Sequence, residues 1–128
     1  IDIQCEIAPL PVKDISQATP GETSEKIRER VISARAIQTE RFRNYRNVHC
    51  NAQMSERMIH EFAEPDAASV QLLRDAMERL KLSARAYNRI LKVARSIADL
   101  DGSEAVLVQH IAEAIGYRNL DRSDWAER

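Results

Sequence analysis

The sequence predicts a mainly α protein: a small helical bundle of about five helices, preceded by one orphan β-strand. Three observations predict it. Three glycines and four prolines in 128 residues leave long stretches free of helix breakers. Apolar residues recur at helical spacing through most of the chain after residue 19. Alternation of period two occurs once, at the start.

That start is IDIQCEIAPLP. Ile1, Ile3, Cys5 and Ile7 alternate with Asp2, Gln4 and Glu6, the pattern of a half-buried strand, and Pro9 and Pro11 stop it. No later segment reads as its partner, and a lone strand leaves backbone N–H and C=O groups unpaired. The strand is therefore expected to belong to a sheet outside this chain, and to be frayed or paired with a second copy. A first residue other than methionine adds the expectation of an excised or processed piece.

The period changes at Thr19. TPGE fits a capping box, with Thr19 as N-cap, Pro20 at the first helical position and Glu22 reaching back; a later cap at Thr23 or Ser24 fits equally well. Ile27, Val31, Ala34, Ile37, Phe42 and Tyr45 then mark one side of a long helix ending near Asn44. Ser55 caps a short helix to about Phe62. Pro65 and Asp66 open the next, with Val70, Leu73, Met77 and Leu80 inward. Ser83 caps a helix to about Leu100, which Asp101 and Gly102 end. A last helix covers roughly Leu107 to Tyr117, with Val108, Ile111, Ala112 and Ile115 inward.

Bulk properties narrow the function classes. One domain's length, 44% hydrophobic residues and a formal net charge of −1 describe an ordinary globular domain and argue against non-specific nucleic-acid binding by the whole chain. No apolar run approaches a membrane span and no leader pattern is present. Cys5 and Cys50 stand alone, so free thiols in a reducing, cytoplasmic setting are expected.

The Ser83–Leu100 helix carries the feature that points to function. On a wheel of 100° per residue, Tyr87, Ile90, Leu91, Ala94, Ile97 and Ala98 form the core face, while Arg85, Arg89 and Lys92 gather opposite. No acidic residue four positions away pairs with them. Arg85 lies in the first turn, where exposed N–H groups already carry partial positive charge, so the arrangement favours an arriving anion. A charged outer face is also what any amphipathic helix shows.

SARAYNRILKVARSIADLDGSE, with HIAEAIGYRNLDR behind it, resembles the C-terminal region of magnesium-chelatase-like AAA+ ATPases. GETSEKIRERVISARAIQTERF, NAQMS and LLRDAMERLKLSARAY continue the likeness, which covers residues 1 to about 122. The resemblance implies that residues 1–18 are the terminal strand and connector of an AAA+ core, that 19–120 form a helical lid, and that 121–128 are a tail. It implies that Arg85 is the sensor 2 arginine meeting the ATP γ-phosphate, in cis or in trans, with Arg89 as the fallback. It further implies ATP and Mg²⁺ as cofactors of a longer parent. The implied partners are a core in the same chain and neighbouring subunits of a ring, with branched or single-stranded DNA as the substrate remodelled. A metal-chelatase motor role and a free-standing DNA-binding or adaptor bundle are the alternatives.

What the residues omit is equally definite. A phosphate-cradling loop needs G-x-x-x-x-G-K-[ST], and none of Gly21, Gly102 and Gly116 opens one. One arginine at a helix end supplies about 1–3 kcal/mol, against roughly 8 for micromolar binding. The chain by itself is expected neither to hydrolyse nor to hold ATP. RFRNYRN sets Arg41, Arg43 and Arg46 among Phe42 and Tyr45, a composition that suits single-stranded nucleic acid if the rings are exposed, although both rings lie on the apolar side. His49, Cys50 and His60 match no zinc spacing, and no metal site is expected. Tyr117 and Arg118, with Asp121 and Arg122, are expected to tie the last helix to the bundle.

Overall fold

The computed structural model describes residues 1–12, 16 and 21–118. Five α-helices lie wholly within them: α1 Ser24–Arg41, α2 Glu56–Phe62, α3 Ala67–Leu80, α4 Ala84–Leu100 and α5 Val108–Gly116, with a 3₁₀ turn at Asn51–Gln53. Thr19 and Pro20, read as one possible cap, lie outside the described residues, as do Asp121, Arg122 and the tail.

Local chemistry sets most of the boundaries. The Oγ atoms of Thr23, Ser55 and Ser83 accept from the backbone N–H groups of Lys26, Met58 and Ala86, and Asp66 Oδ1 accepts from Ser69. Each cap satisfies one of the donors that a helix start leaves without a partner. Of the alternative caps on α1, Thr23 is the one used. α1 ends at Arg41, three residues before the expected Asn44. α4 stops where Gly102 takes a φ of +69°, a conformation that costs glycine little.

α4 is the central element. Ile90, Leu91, Ala94 and Ala98 on its buried face pack with Leu73 and Ala76 of α3, Ile111, Ala114 and Ile115 of α5, and Met58 and Ile59 of α2. α1 joins through its last turns, where Ala34 and Phe42 are buried. Its earlier apolar residues do not follow the sequence expectation. Ile27, Val31 and Ile37 remain 44%, 40% and 38% exposed. Ile27 and Val31 face a groove of about 920 Å³ whose other walls include Val93, Ile97 and Leu100 of α4 and residues of α5. Among the described residues no helix fills the space opposite this side of α1.

α5 is also rotated from the expected face. Val108 and Ala112 are exposed, and His110 and Ala114 are buried in their stead. The imidazole explains the turn. Its Nδ1 accepts from the Leu107 N–H at 2.9 Å and its Nε2 lies 3.0 Å from Asp101 Oδ2, which draws the side chain inward and fixes the proton on Nε2.

Residues 1–7 form no strand ladder. The segment instead lies against the bundle: Gln4 N–H donates to the Tyr117 carbonyl at 2.8 Å, Arg118 Nη1 donates to the Ile1 carbonyl at 3.2 Å, and Asp2, Ile3 and Cys5 line one side of the groove. Arg118 does tie the end of α5 down, to the start of the chain.

Candidate functional site

The approach to α4 is built tightly. α3 ends in Lys81, a left-handed residue at φ 52°, ψ 48°, and the Leu82 N–H returns to the Met77 carbonyl at 3.0 Å. This six-to-one closure turns the chain within three residues and delivers Ser83 as the cap of α4. Ser83 Oγ takes the Ala86 N–H at 3.2 Å and its carbonyl takes that of Tyr87, also at 3.2 Å. The N–H groups of Ala84 and Arg85 are left without a partner among the described residues.

Arg85 stands in that first turn, exposed, with no hydrogen bond or ion pair among the described residues. The other two cations of the stripe are engaged. Arg89 Nε lies 3.5 Å from Asp2 Oδ1, and Lys92 Nζ donates to the Ala52 carbonyl at 3.1 Å. The stripe therefore does not act as one free face; only Arg85 is unengaged.

The RFRNYRN segment separates in the same way. Arg41 is turned inward. Its guanidinium makes two bonds of 2.7 Å to the Asp99 carboxylate and one of 3.0 Å to Asn51 Oδ1. The Phe42 and Phe62 rings flank it, each 5.9 Å from ring centre to Cζ. Arg43 and Arg46 are exposed, Arg43 within 3.2 Å of Glu40. Phe42 is buried, and Tyr45 packs edge-on against Phe42 and Phe62, so neither ring offers a free face to a base. Of the three arginines read as nucleic-acid contacts, Arg41 is withdrawn into the interior because Asp99 holds it there.

Asp99 is the centre that sequence reading missed. Besides Arg41 it accepts from Asn51 Nδ2 at 2.8 Å and from Arg95 at 3.1 Å. Arg95 is almost wholly buried and also donates to the carbonyls of Phe62, Ser103 and Glu104, at 3.2, 2.7 and 2.9 Å. Burial pulls the Arg95 guanidinium below the usual arginine range; Asp99 opposes that pull and Arg41 adds to it. The network joins α1, the 3₁₀ turn, α2 and the α4–α5 loop through one carboxylate. Its legible signal was the four-residue spacing of Arg95 and Asp99 beside the apolar stripe of α4.

The model of the family described as magnesium chelatase, subunit ChlI C-terminal, matches residues 21–118. The chain belongs to this family. The magnesium chelatase C-terminal domain formed here is 38% identical over 122 residues to Competence protein ComM of Haemophilus influenzae and 38% identical over 123 residues to the YifB protein of Escherichia coli. Each alignment covers 94% of this chain and 23% of the relative. A protein of Mycobacterium tuberculosis is 34% identical over 101 residues, 79% of this chain and 20% of the relative. The chain thus spans about a quarter of the length of the curated relatives it matches. The family match ends at Arg118 and takes in every helix described above, α4 and the Asp99 network included.

Proposed function

We propose that this magnesium chelatase C-terminal domain is the lid of a longer AAA+ ATPase, closing over nucleotide so that Arg85 meets the γ-phosphate. The observation that carries the reading is the state of Arg85: exposed, unpaired among the described residues, and set in the capped first turn of α4 beside two N–H groups without partners. A terminal phosphate arriving there gains a charge-assisted bond, possible in bidentate form, together with the positive end of the helix. In a closed, water-poor site such donors stabilise charge as it develops on a transferring phosphoryl group.

The nucleotide and Mg²⁺ are placed in the parent's core, since this sequence has no phosphate-cradling loop. When bound there, they supply the phosphoryl chemistry and its charge neutralisation. The residues of this chain orient Arg85: Ser83 by capping, Leu82 by anchoring the corner in the core, and Lys81 by turning it. The core of the same chain and the neighbouring subunits of a ring are the proposed partners, in the cytoplasm. Among the described residues no helix is long and apolar enough to cross a membrane.

DNA as the material remodelled, with branch migration in natural transformation as the process, is supported by the Haemophilus influenzae relative being named a competence protein. The deciding experiment is Arg85→Ala in the full-length parent. ATP turnover should fall at least about tenfold with the circular dichroism spectrum unchanged. Unaltered turnover removes Arg85 from the mechanism. Stimulation of turnover by branched or single-stranded DNA tests the substrate; stimulation only by a metal-chelatase partner subunit points to the other motor role.

A further inference from the structure

The two ends of α4 hold opposite kinds of charge. Arg85 stands exposed in the first turn, while Asp99, in the last, has its carboxylate wholly buried. At 1.5 Å per residue the helix between them spans about 21 Å. α4 is packed along its inner face throughout that length, at Ile90, Leu91, Ala94 and Ala98. A helix held so closely moves as a rod, because a packed interior transmits displacement instead of absorbing it.

α1 is buried against the bundle only from Ala34 onward; every residue from 24 to 33 is exposed. Ile27 and Val31 stand across the groove from Val93 and Ile97, so no close packing there fixes the angle between the two helices. The grip lies in the last turns. Gln38 Oε1 accepts the Asn51 N–H at 2.9 Å, Arg41 makes its two bonds to Asp99, and Phe42 enters the core. Asn51 is held from both sides: its Oδ1 accepts from Arg41, and its Nδ2 donates to Asp99 and, at 3.1 Å, to Ser96 Oγ. A two-point guanidinium–carboxylate pair fixes direction as well as distance. The angle of α1 to α4 is therefore set largely at one planar contact.

We propose that Arg41 and Asp99 are positioning residues for the nucleotide contact: they lock α4, which carries Arg85, to α1, through which the lid is joined to the core of the parent. This rests on the reading of Arg85 as the γ-phosphate contact, and extends it to the joint that aims it. Neither Arg41 nor Asp99 touches nucleotide. Movement of the core passes along α1 to the pair, and from the pair along α4 to Arg85, without slack where the helices meet.

Arg41→Lys in the full-length parent tests the joint. Lysine keeps a counter-charge for Asp99 but cannot make the planar two-point grip. The kcat for ATP should fall about three- to tenfold, with KM within about twofold, because aim is lost while the phosphate cradle of the core is intact. In an Arg85→Ala background the same substitution should lower kcat no further, since the side chain it aims is gone. Rates are taken per folded molecule, from circular dichroism and melting curves, and Arg41→Gln serves if Arg41→Lys melts below the assay temperature. A wild-type kcat in the position 41 variant, or a change confined to KM, overturns the joint and leaves the proposed role of Arg85 untouched. Equal falls in both backgrounds also overturn it, since a merely structural loss acts whether or not Arg85 is present. A wild-type rate in Arg85→Ala alone removes the nucleotide reading, and the joint with it.

Discussion

Arg41 and Asp99, 58 residues apart in sequence, are joined by two hydrogen bonds of 2.7 Å with the carboxylate wholly buried. The pair fastens the end of α1 to the end of α4. With Arg95 and Asn51 beside the pair, Asp99 is the acceptor for two guanidinium groups and one amide, so the carboxylate is the member that cannot be spared.

Removing one partner from a buried pair costs about 3–5 kcal/mol, because a charge remains without compensation. Asp99→Ala should fall in or above that range, since both Arg41 and Arg95 lose their counter-charge. Arg41→Ala should cost less, because Arg95 still serves Asp99. Urea denaturation of the two variants checks the order. Equal or reversed losses would show that the network is not centred on Asp99.

The corner before α4 offers two opposite changes. Ser83→Ala removes the cap on Ala86 and should destabilise by about 1 kcal/mol. Lys81→Gly relieves a left-handed backbone that costs residues with a Cβ about 1–2 kcal/mol. Set against the larger conformational freedom of unfolded glycine, a net gain of about 0.5–1 kcal/mol is expected by thermal melting. A loss in the second variant would mean that the Lys81 side chain, not its backbone, is needed at the turn.

Asp66 predicts a pH effect of definite sign. The backbone N–H and side chain of Ser69 hold its carboxyl below the usual range, outweighing slight desolvation. A carboxylate depressed in the fold stabilises above its unfolded pKa of about 4, and that contribution is lost as the pH falls through the folded value. Asp66→Asn keeps a capping side chain without titrating. The stability difference between wild type and Asp66→Asn, measured by urea at pH 7 and again near pH 3, should shift in favour of the variant at the lower pH. A difference independent of pH would remove Asp66 from the acid response.

Arg85 should matter little to the domain's own stability. Exposed, unpaired among the described residues and set against the helix dipole, its replacement by Ala should leave stability unchanged or raise it by a few tenths of a kcal/mol. Chemical denaturation of the domain measures this. A loss above about 1 kcal/mol would assign Arg85 a structural contact and undercut its reading as a side chain held for a ligand.

How much of this was legible differs from element to element. Ser55, Asp66 and Ser83 announce their helices because capping depends on an oxygen within three residues of its donor. The core face of α4 follows from spacing alone, and so does the setting of Arg85 in the first turn, since both need only the local helix. The family was legible too, in the stretches around α4 and α5. The exposed half of α1 was not, because periodicity says which residues share a side and not whether anything lies opposite. Nor was the rotation of α5, which depends on where Asp101 waits for His110.

By itself the sequence determined the helices, their caps and the cationic first turn of α4, all governed by interactions spanning a few residues. The tertiary structure decided which charges are committed: Arg41 to Asp99, Lys92 to the Ala52 carbonyl, Arg89 to Asp2, and Arg85 to nothing among the described residues. A guanidinium's partner is set by what the folded chain brings within about 4 Å of it, and for Arg41 that is a residue 58 positions away.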